Sequence, residues 1–424
     1  MGLIYYVALF ISLLKDLKNS KSIATQIFCM LLVIPTIQIG NHWYSGQYIV
    51  MIVLFLVALK MRTRYLGQYT SLYVAMCALV IFSYCVGFLI NNAEASMISL
   101  LTSVVTLLKY PLIIGCSGLI LLREDTKAIE KSFGTTLKII VIVNLVAVIM
   151  QMLTPSIAAK IIDSFFYNDE ALNQIDSLAQ GGRYIRYTGI YNYPAILGSI
   201  MLICLIWFLF ERNDKKWNKV YLSAILIIGI SSMSKTFYLG CAVILALWPL
   251  INFNSRNLKS FLGAGVTLVI IAGTYMYQQE IYLKLKSINA YLAFYFSCIF
   301  DLNKSLSTRY DTAVGNTAPM LKMIKEHFII GYGPISVKGE VIQDSAFMVI
   351  AHNGGIIAII LIFVFYAHLL INKCRLKKKR ELVLLMGFFM LGWALPVWIF
   401  SPVTLGLIVY LNVLSDKSIC DVWG

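Results

Sequence analysis

Charged residues are scarce in this sequence. Asp, Glu, Lys and Arg make up 13% of its 424 residues, whereas an average soluble domain has about 25%. Apolar residues account for 59% of the chain. Apolar runs of about 18 residues or more recur along it, and about 20 such residues cross a hydrocarbon core of roughly 30 Å. The scarcity of charge argues against a soluble fold and indicates a membrane protein with many spans.

Other absences argue against further classes. The nine cysteines contain no C-x-x-C pair, and no histidine lies near them at ligand spacing, so neither a disulfide framework nor a zinc site is expected. No D-x-D motif occurs, which argues against metal-dependent sugar transfer, and no cofactor is expected. The net charge of +15 comes from short clusters between apolar runs, so nucleic acid is not an expected partner.

The apolar runs predict an all-α polytopic membrane protein with about twelve transmembrane helices, or thirteen if residues 3–14 also cross. We expect 3–14 to be retained, because no basic segment precedes this run and no small-residue cleavage site follows it. No internal repeat or low-complexity linker is visible, so residues 1–424 are expected to form a single integral membrane domain. The twelve predicted spans are 23–40, 47–59, 69–90, 97–122, 139–153, 194–210, 220–233, 236–251, 258–277, 346–371, 382–400 and 403–415.

Lysine and arginine cluster in four connections between these spans, which the positive-inside rule places in the cytoplasm. The alternate short connections, 41–46 and 91–96, contain neither residue. Two long polar segments, about 154–193 and 278–345, therefore fall on the extracytoplasmic side, and loops of this length usually carry function. The four basic connections are 15–22, 60–68, 211–219 and 372–381.

The first long loop contains apolar residues at helical spacing, namely Ala158, Ile161, Ile162, Phe165 and Phe166. This spacing predicts an amphipathic helix. Such a helix would lie in the outer headgroup layer or pack on the spans beneath it.

Several cations and one imidazole fall at the predicted outer ends of spans, where a cation costs several kcal/mol unless it is paired or solvated. Arg183 and Arg186 precede the span that opens at Pro194. Lys235 lies in a turn between two spans with almost no loop, and Arg309 lies in the second long loop. These side chains are candidates for binding an anionic substrate.

His352 is the best candidate for a general base. It lies six residues into the predicted span that begins at Ala346, so it is about 9 Å below the entry point at helical rise. An imidazole can accept a proton near neutral pH.

Each of these side chains also has a purely structural explanation. Arg183 and Arg186 would lie beside lipid phosphates, and Lys235 would snorkel to the headgroups. Arg309 would form a salt bridge within its loop. His352 would be a satisfied histidine between packed helices.

Four segments, in this order on a chain of many spans, resemble the bacterial superfamily of O-antigen polymerases (Wzy type) and O-antigen ligases (WaaL type). Their order and predicted sidedness over residues 183–355 carry the resemblance, since each motif alone is weak. The matching pieces are R-x-x-G-x-x-x-x-P (Arg186, Gly189, Pro194), the S-[RK]-T turn (Ser234, Lys235, Thr236), S-x-R (Ser307, Arg309), G-x-G (Gly331, Gly333) and H-N-x-x-G (His352, Asn353, Gly355).

The resemblance implies a metal-independent glycosyltransferase with the membrane C-type fold, acting on undecaprenyl-diphosphate-linked glycans at the outer face of the bacterial inner membrane. It implies that Arg186 and Lys235 bind the diphosphate, that Arg309 and Asn353 assist, and that His352 is the base. Arg183 competes with Arg186 for its role. Lys235 departs from the arginine that is frequent in the family. Membrane lipid is an implied partner, and a chain-length regulator protein is another candidate.

The expected activity is that of a polysaccharide polymerase, which transfers a growing glycan from its lipid diphosphate to the non-reducing end of another lipid-linked repeat unit. A ligase that delivers glycan to the lipid A core of lipopolysaccharide remains the enzyme alternative. A lipid-linked oligosaccharide flippase is the alternative from another class, and its main support is Lys109 in the span 97–122. Aromatic residues that could stack sugars favour the polymerase: Tyr282, Tyr291, Phe294, Tyr295 and Phe296.

Overall fold

The structure is a computed structural model that is almost entirely helical. It describes the chain except for residues 20, 40–41, 62–64, 92–96, 166–185, 192, 212–214, 252–264, 267–268, 270–271, 289–292, 294–295, 298–317, 335–344, 393–394 and 424. The helices are α1 Gly2–Lys18, α2 Ala24–Leu32, α3 Gly46–Met61, α4 Gln68–Asn91, α5 Met97–Leu121, α6 Thr126–Leu153, α7 Pro155–Phe165, α8 Pro194–Phe210, α9 Lys215–Ser231, α10 Lys235–Ile251, α11 Gln278–Ile288, α12 Ala318–Glu326, α13 Ala346–Arg375, α14 Lys379–Gly392 and α15 Leu405–Trp423. A 3₁₀ turn, Pro402–Thr404, precedes α15.

Four of these helices, α4, α5, α6 and α13, are long and apolar enough to cross a membrane. Within the described ranges, α3, α8 and the first part of α10 are shorter apolar helices. The chain is therefore a helical, membrane-embedded protein. The count of twelve spans stays a prediction.

The segment predicted as the span 23–40 is not one helix. Helix α2 ends at Leu32, three residues before Pro35, whose ring and missing N–H disfavour a continued helix. Strands β1 (Ile37–Ile39) and β2 (His42–Tyr44) follow as an antiparallel hairpin in which Ile37 pairs with Tyr44. The described part of the chain is all-α apart from this short hairpin, in which His42 lies.

The span predicted over 382–400 is also shorter than expected. Helix α14 ends at Gly392, and Pro396 follows within four residues. The Tyr366 hydroxyl donates to the Trp398 carbonyl at 2.7 Å, and the Thr404 hydroxyl donates to the Val397 carbonyl at 2.8 Å. These bonds satisfy carbonyls that a helix would otherwise use.

Helices α8 and α15 are central to the bundle. Helix α8 packs against α6, α9, α10 and α14, whereas α15 packs against α2, α4, α5, α6 and α13. Nearly every side chain of α8 is buried, which agrees with its apolar character on all sides. Helix α4 packs against both α5 and α13.

One end of the bundle, which we call the basic end, is held by polar contacts. Asp416 accepts hydrogen bonds from the Tyr69 amide at 2.5 Å and from the Thr70 hydroxyl at 2.6 Å, at the start of α4. Arg380 forms an ion pair of 3.0 Å with Glu130 and lies 4.2 Å from the ring of Trp207. These contacts bring the starts of α4, α6 and α14 to the same end as the ends of α8 and α15.

Candidate functional site

The segment that carries Arg186 is held by two buried amides of α6. The Gln151 side chain accepts from the amides of Thr188 and Gly189 at 3.2 and 3.1 Å and donates to the Thr188 hydroxyl at 2.9 Å. Asn144 accepts from the Ile190 amide at 3.0 Å. Because buried backbone groups need partners, these amides fix the path of residues 188–190 at the end of α6.

Glycine is required at position 189. Its φ is +61°, in the left-handed region. A Cβ atom there would lie 2.2 Å from the side-chain oxygen of Asn144, so a larger residue would displace the segment. The glycine of the R-x-x-G motif therefore has a local structural cause.

The predicted turn around Lys235 lies directly beside this segment. The Tyr187 amide donates to the Ser231 carbonyl at 3.2 Å, which joins the residue after Arg186 to the last residue of α9. The chain then turns through Met233, whose φ is +48°, and α10 begins at Lys235. Arg186 and Lys235 are thus brought to neighbouring segments, as their shared predicted role requires.

Arg186 and the turn 231–235 form what we call the cationic half of the site. The Arg186 side chain is half-buried, and its Nε atom is buried without a hydrogen-bond partner among the described residues. Lys235 is half-buried at the first residue of a 17-residue helix, where the helix dipole adds positive potential. Burial raises the pKa of the Tyr187 phenol, which stays neutral beside these cations. The cationic half is suited to binding an anion.

An apolar groove of about 470 Å³ runs along α6. Arg186 and Lys235 do not line it, but Ile190, four residues after Arg186, contributes to its wall. The predicted amphipathic helix is confirmed as α7, and three of its residues, Ala158, Ile161 and Phe165, line the groove opposite α6. Helix α7 therefore packs on the bundle, which was one of the two expected arrangements. The remaining wall consists of Tyr5, Leu9, Cys29, Val33, Thr136, Ile139, Ile140, Val143, Val146, Ala147 and Met150.

His352 lies in the seventh position of α13 and is only 1% exposed. Its Nδ1 atom is 2.8 Å from Oδ1 of Asn353. If Nδ1 carries the proton, it donates to Asn353 and leaves Nε2 as the basic nitrogen. The ring also lies 5.6 Å from the ring of Tyr332. This pairing can orient the imidazole for proton transfer.

The G-x-G and H-N-x-x-G motifs interlock through their backbones. The Tyr332 amide donates to the His352 carbonyl at 2.6 Å, and the Gly333 amide donates to the Asn353 carbonyl at 3.1 Å. Helix α13 is kinked here, because Gly355 has non-helical angles (φ 62°, ψ −159°). The kink lets the helix bind residues 331–333. His352, Asn353 and Gly331–Gly333 form what we call the histidine half of the site.

Two polar residues of α4 support the histidine half. The Ser83 hydroxyl donates to the Gly354 carbonyl at 3.0 Å, and the Asn91 side chain donates to the Gly331 carbonyl at 2.7 Å. They lie two helical turns apart on the face of α4 that packs against α13. The histidine half is therefore built from three segments distant in sequence.

The two halves are connected through α14, which packs against α8 and α10 on one side and against α13 on the other. Within the described part of the chain, no direct contact joins Arg186 to His352. Arg183 and Arg309, which were predicted as site residues, lie outside the described residues. So do three of the predicted sugar-stacking aromatics, Tyr291, Phe294 and Tyr295.

The sequence analysis missed the supporting amides Asn144 and Gln151. Both occur inside the predicted apolar span 139–153, where amides are rare, and both are almost fully buried. They are seven residues apart and so share one helix face. That spacing was the signal that could have identified them.

Two comparisons with known proteins found no relative of this chain. No protein-family model matches the chain, and a search of curated proteins found no significantly similar sequence.

Proposed function

We propose that this protein is a surface-polysaccharide polymerase of the bacterial inner membrane, with its active site facing the periplasm or the outside. It transfers a growing glycan from undecaprenyl diphosphate to the non-reducing end of another lipid-linked repeat unit. The observation that carries this proposal is the pairing of the segments that bear Arg186 and Lys235, the first of which continues into an apolar groove at Ile190. A cationic site next to an apolar wall suits an amphiphilic anion such as a polyprenyl diphosphate.

The proposed reaction needs few protein groups, because the diphosphate is already a good leaving group. The acceptor hydroxyl oxygen attacks the anomeric carbon of the donor, and His352 takes the hydroxyl proton. The bond between the anomeric carbon and the diphosphate oxygen breaks, and the diphosphate leaves with the electron pair. Arg186 and Lys235 stabilise its developing negative charge, and the proposal assigns Arg309 an assisting role.

Reconstitution of the purified protein into liposomes tests the proposal. The liposomes would contain the lipid-linked repeat unit isolated from the producing cells, and a chelator would be present throughout. We expect a ladder of products that differ by one repeat unit. Transfer only to added lipid A core would indicate a ligase, whereas bilayer crossing without new glycosidic bonds would indicate a flippase; either result would contradict the polymerase.

The replacement of Arg186 tests the cationic half. Because a hydrogen bond to a charged group contributes about 1.5–3 kcal/mol, we expect Arg186→Ala to raise the donor KM by about tenfold or more. Arg186→Lys should recover only part of this loss, since lysine restores the charge but not bidentate contact. The measurement is the initial rate of transfer against donor concentration.

Lys216→Ala is a suitable control for the Arg186 variants. Lys216 is an exposed cation in the first turn of α9, at the opposite end of that helix from Ser231. We expect its replacement to leave the donor KM unchanged. Equal donor KM values for the native protein, Arg186→Ala and Arg186→Lys would show that Arg186 does not bind the donor.

A further inference from the structure

Lys109 is a buried cation in the middle of α5. It is 6% exposed, and its Nζ atom lies 4.9 Å from the ring centre of Tyr48 and 5.2 Å from that of Tyr110. No carboxylate within the described ranges forms an ion pair with it. Cation–π contacts offset only part of the cost of burying a charge in a membrane. An anionic ligand would neutralise this charge.

A line of hydroxyl groups leads along α5 to Lys109. Ser99, Thr102, Ser103 and Thr106 precede it at helical spacing, so all share one face. The hydroxyls of Thr102, Ser103 and Thr106 donate to carbonyls four residues earlier at 2.8–2.9 Å. Their oxygen lone pairs remain able to accept hydrogen bonds from a ligand. We call these four residues the hydroxyl stripe.

A second buried polar side chain, Gln47, lies at the inner end of the hydroxyl stripe. Gln47, in the first turn of α3, is 8% exposed, and its Oε1 atom is buried without a hydrogen-bond partner among the described residues. Its side chain lies beside the Tyr110 hydroxyl. Lys109, Gln47, Tyr48 and Tyr110 thus form a buried polar cluster where α3 packs against α5.

The stripe also touches the histidine half of the site. The Ser103 hydroxyl oxygen lies 3.2 Å from the Pro334 carbonyl oxygen, so this hydroxyl can donate to Pro334 in place of the Ser99 carbonyl. Pro334 directly follows the segment 331–333, which is bonded to His352 and Asn353. From Ser103 to Lys109 the helix rises about 9 Å. Lys109 therefore lies further along α5 than this contact with the histidine half, with Thr106 between them.

We propose that Lys109 and the hydroxyl stripe bind the acceptor substrate. Lys109 binds the acceptor diphosphate, and the stripe accepts hydrogen bonds from the sugar hydroxyls of its glycan. This inference rests on the proposed polymerase function. It follows from the geometry of transfer: the donor reacts at its diphosphate, whereas the acceptor reacts at the far end of its glycan. A diphosphate site distant from His352, connected to it by hydroxyl groups, fits the acceptor.

Binding measurements in nanodiscs test the site without requiring transfer. The probes are farnesyl diphosphate and inorganic diphosphate, which separate recognition of a lipid diphosphate from recognition of the free anion. We expect the native protein to bind two equivalents of farnesyl diphosphate, and Lys109→Met to bind one. Inorganic diphosphate should compete weakly at this site, because it lacks the lipid chain. Two equivalents bound by Lys109→Met would overturn the inference, and so would tight binding of inorganic diphosphate alone.

Lys138→Met is the matched control. Lys138 also lies inside a membrane helix, α6, and its Nζ atom is 5.9 Å from the ring centre of Tyr221, but it is not on the hydroxyl stripe. We expect this variant to bind two equivalents of farnesyl diphosphate. If Lys138→Met also bound only one equivalent of farnesyl diphosphate, the loss of binding would follow from removing any membrane lysine, and the inference would be overturned.

Kinetics with donor and acceptor varied separately provide a second test. We expect Lys109→Met to raise the acceptor KM at least tenfold while the donor KM and kcat stay unchanged, and Lys109→Arg to recover part of the loss. The double variant Thr102→Val, Thr106→Val removes two hydroxyl acceptors at nearly constant volume, and we expect it to raise the acceptor KM as well. If Lys109→Met does not fold, this double variant is the test. An unchanged acceptor KM would overturn the acceptor site while the ladder still supports the polymerase. Absence of a ladder in the native protein would instead contradict the proposed function.

Discussion

Replacement of His352 by alanine is expected to abolish polymer formation while the protein level and the supply of lipid-linked repeat units stay intact. A general base contributes about 10²- to 10⁴-fold to a reaction rate, and His352 is the imidazole whose Nδ1 atom lies 2.8 Å from the Asn353 side chain. The measurement is the product ladder in cells and in liposomes. Long chains made by the variant would refute the assignment of His352 as the base.

His368→Ala is the matched control for this prediction. His368 lies in the same helix, 16 residues further along, and its ring stacks on that of Tyr69 at 5.3 Å, near the basic end. Its replacement should leave the ladder unchanged. A second variant, Asn353→Ala, removes the partner of Nδ1 and should reduce the rate less than His352→Ala does, because the imidazole remains but loses its orientation.

Much of the helical framework was predictable from the sequence. The bounds of α8 were predicted to the residue, because an uninterrupted apolar run follows Pro194, and proline is favoured in the first turn of a helix. The predicted spans 69–90, 97–122 and 346–371 also match α4, α5 and α13 closely. The predictions over 23–40 and 382–400 were wrong because hydropathy does not register the break that Pro35 and Pro396 introduce.

The site could be predicted only in part. The residue types of Arg186, Lys235 and His352 identified candidate chemistry, and the described contacts join the first two segments. The interlock of Gly331–Gly333 with α13 could not be predicted, because it depends on backbone angles that only glycine adopts easily. Neither could the buried amides that hold residues 188–190, since a polar residue within an apolar run does not reveal its partner.

The glycine at the kink of α13 is expected to be as sensitive as the histidine, but for a structural reason. Gly355 has φ 62° and ψ −159°, a region essentially restricted to glycine, and such strain costs a larger residue about 1–3 kcal/mol. A Cβ atom there would also lie 2.4 Å from the Ile329 carbonyl oxygen. Because this neighbour is backbone, it cannot move away as a side chain could.

Gly355→Ala should therefore lower the free energy of unfolding by several kcal/mol, since overpacking adds about 1–3 kcal/mol to the backbone strain. It should also separate His352 and Asn353 from residues 331–333 and so abolish the ladder. The measurements are the thermal unfolding temperature in detergent and the product ladder. Gly115→Ala in α5 is the control, because its nearest neighbour would be a Val74 methyl at an ordinary 3.6 Å. Equal unfolding temperatures for the two variants would show that residue 355 of α13 can adopt helical backbone angles. The kink would then not be what positions the histidine.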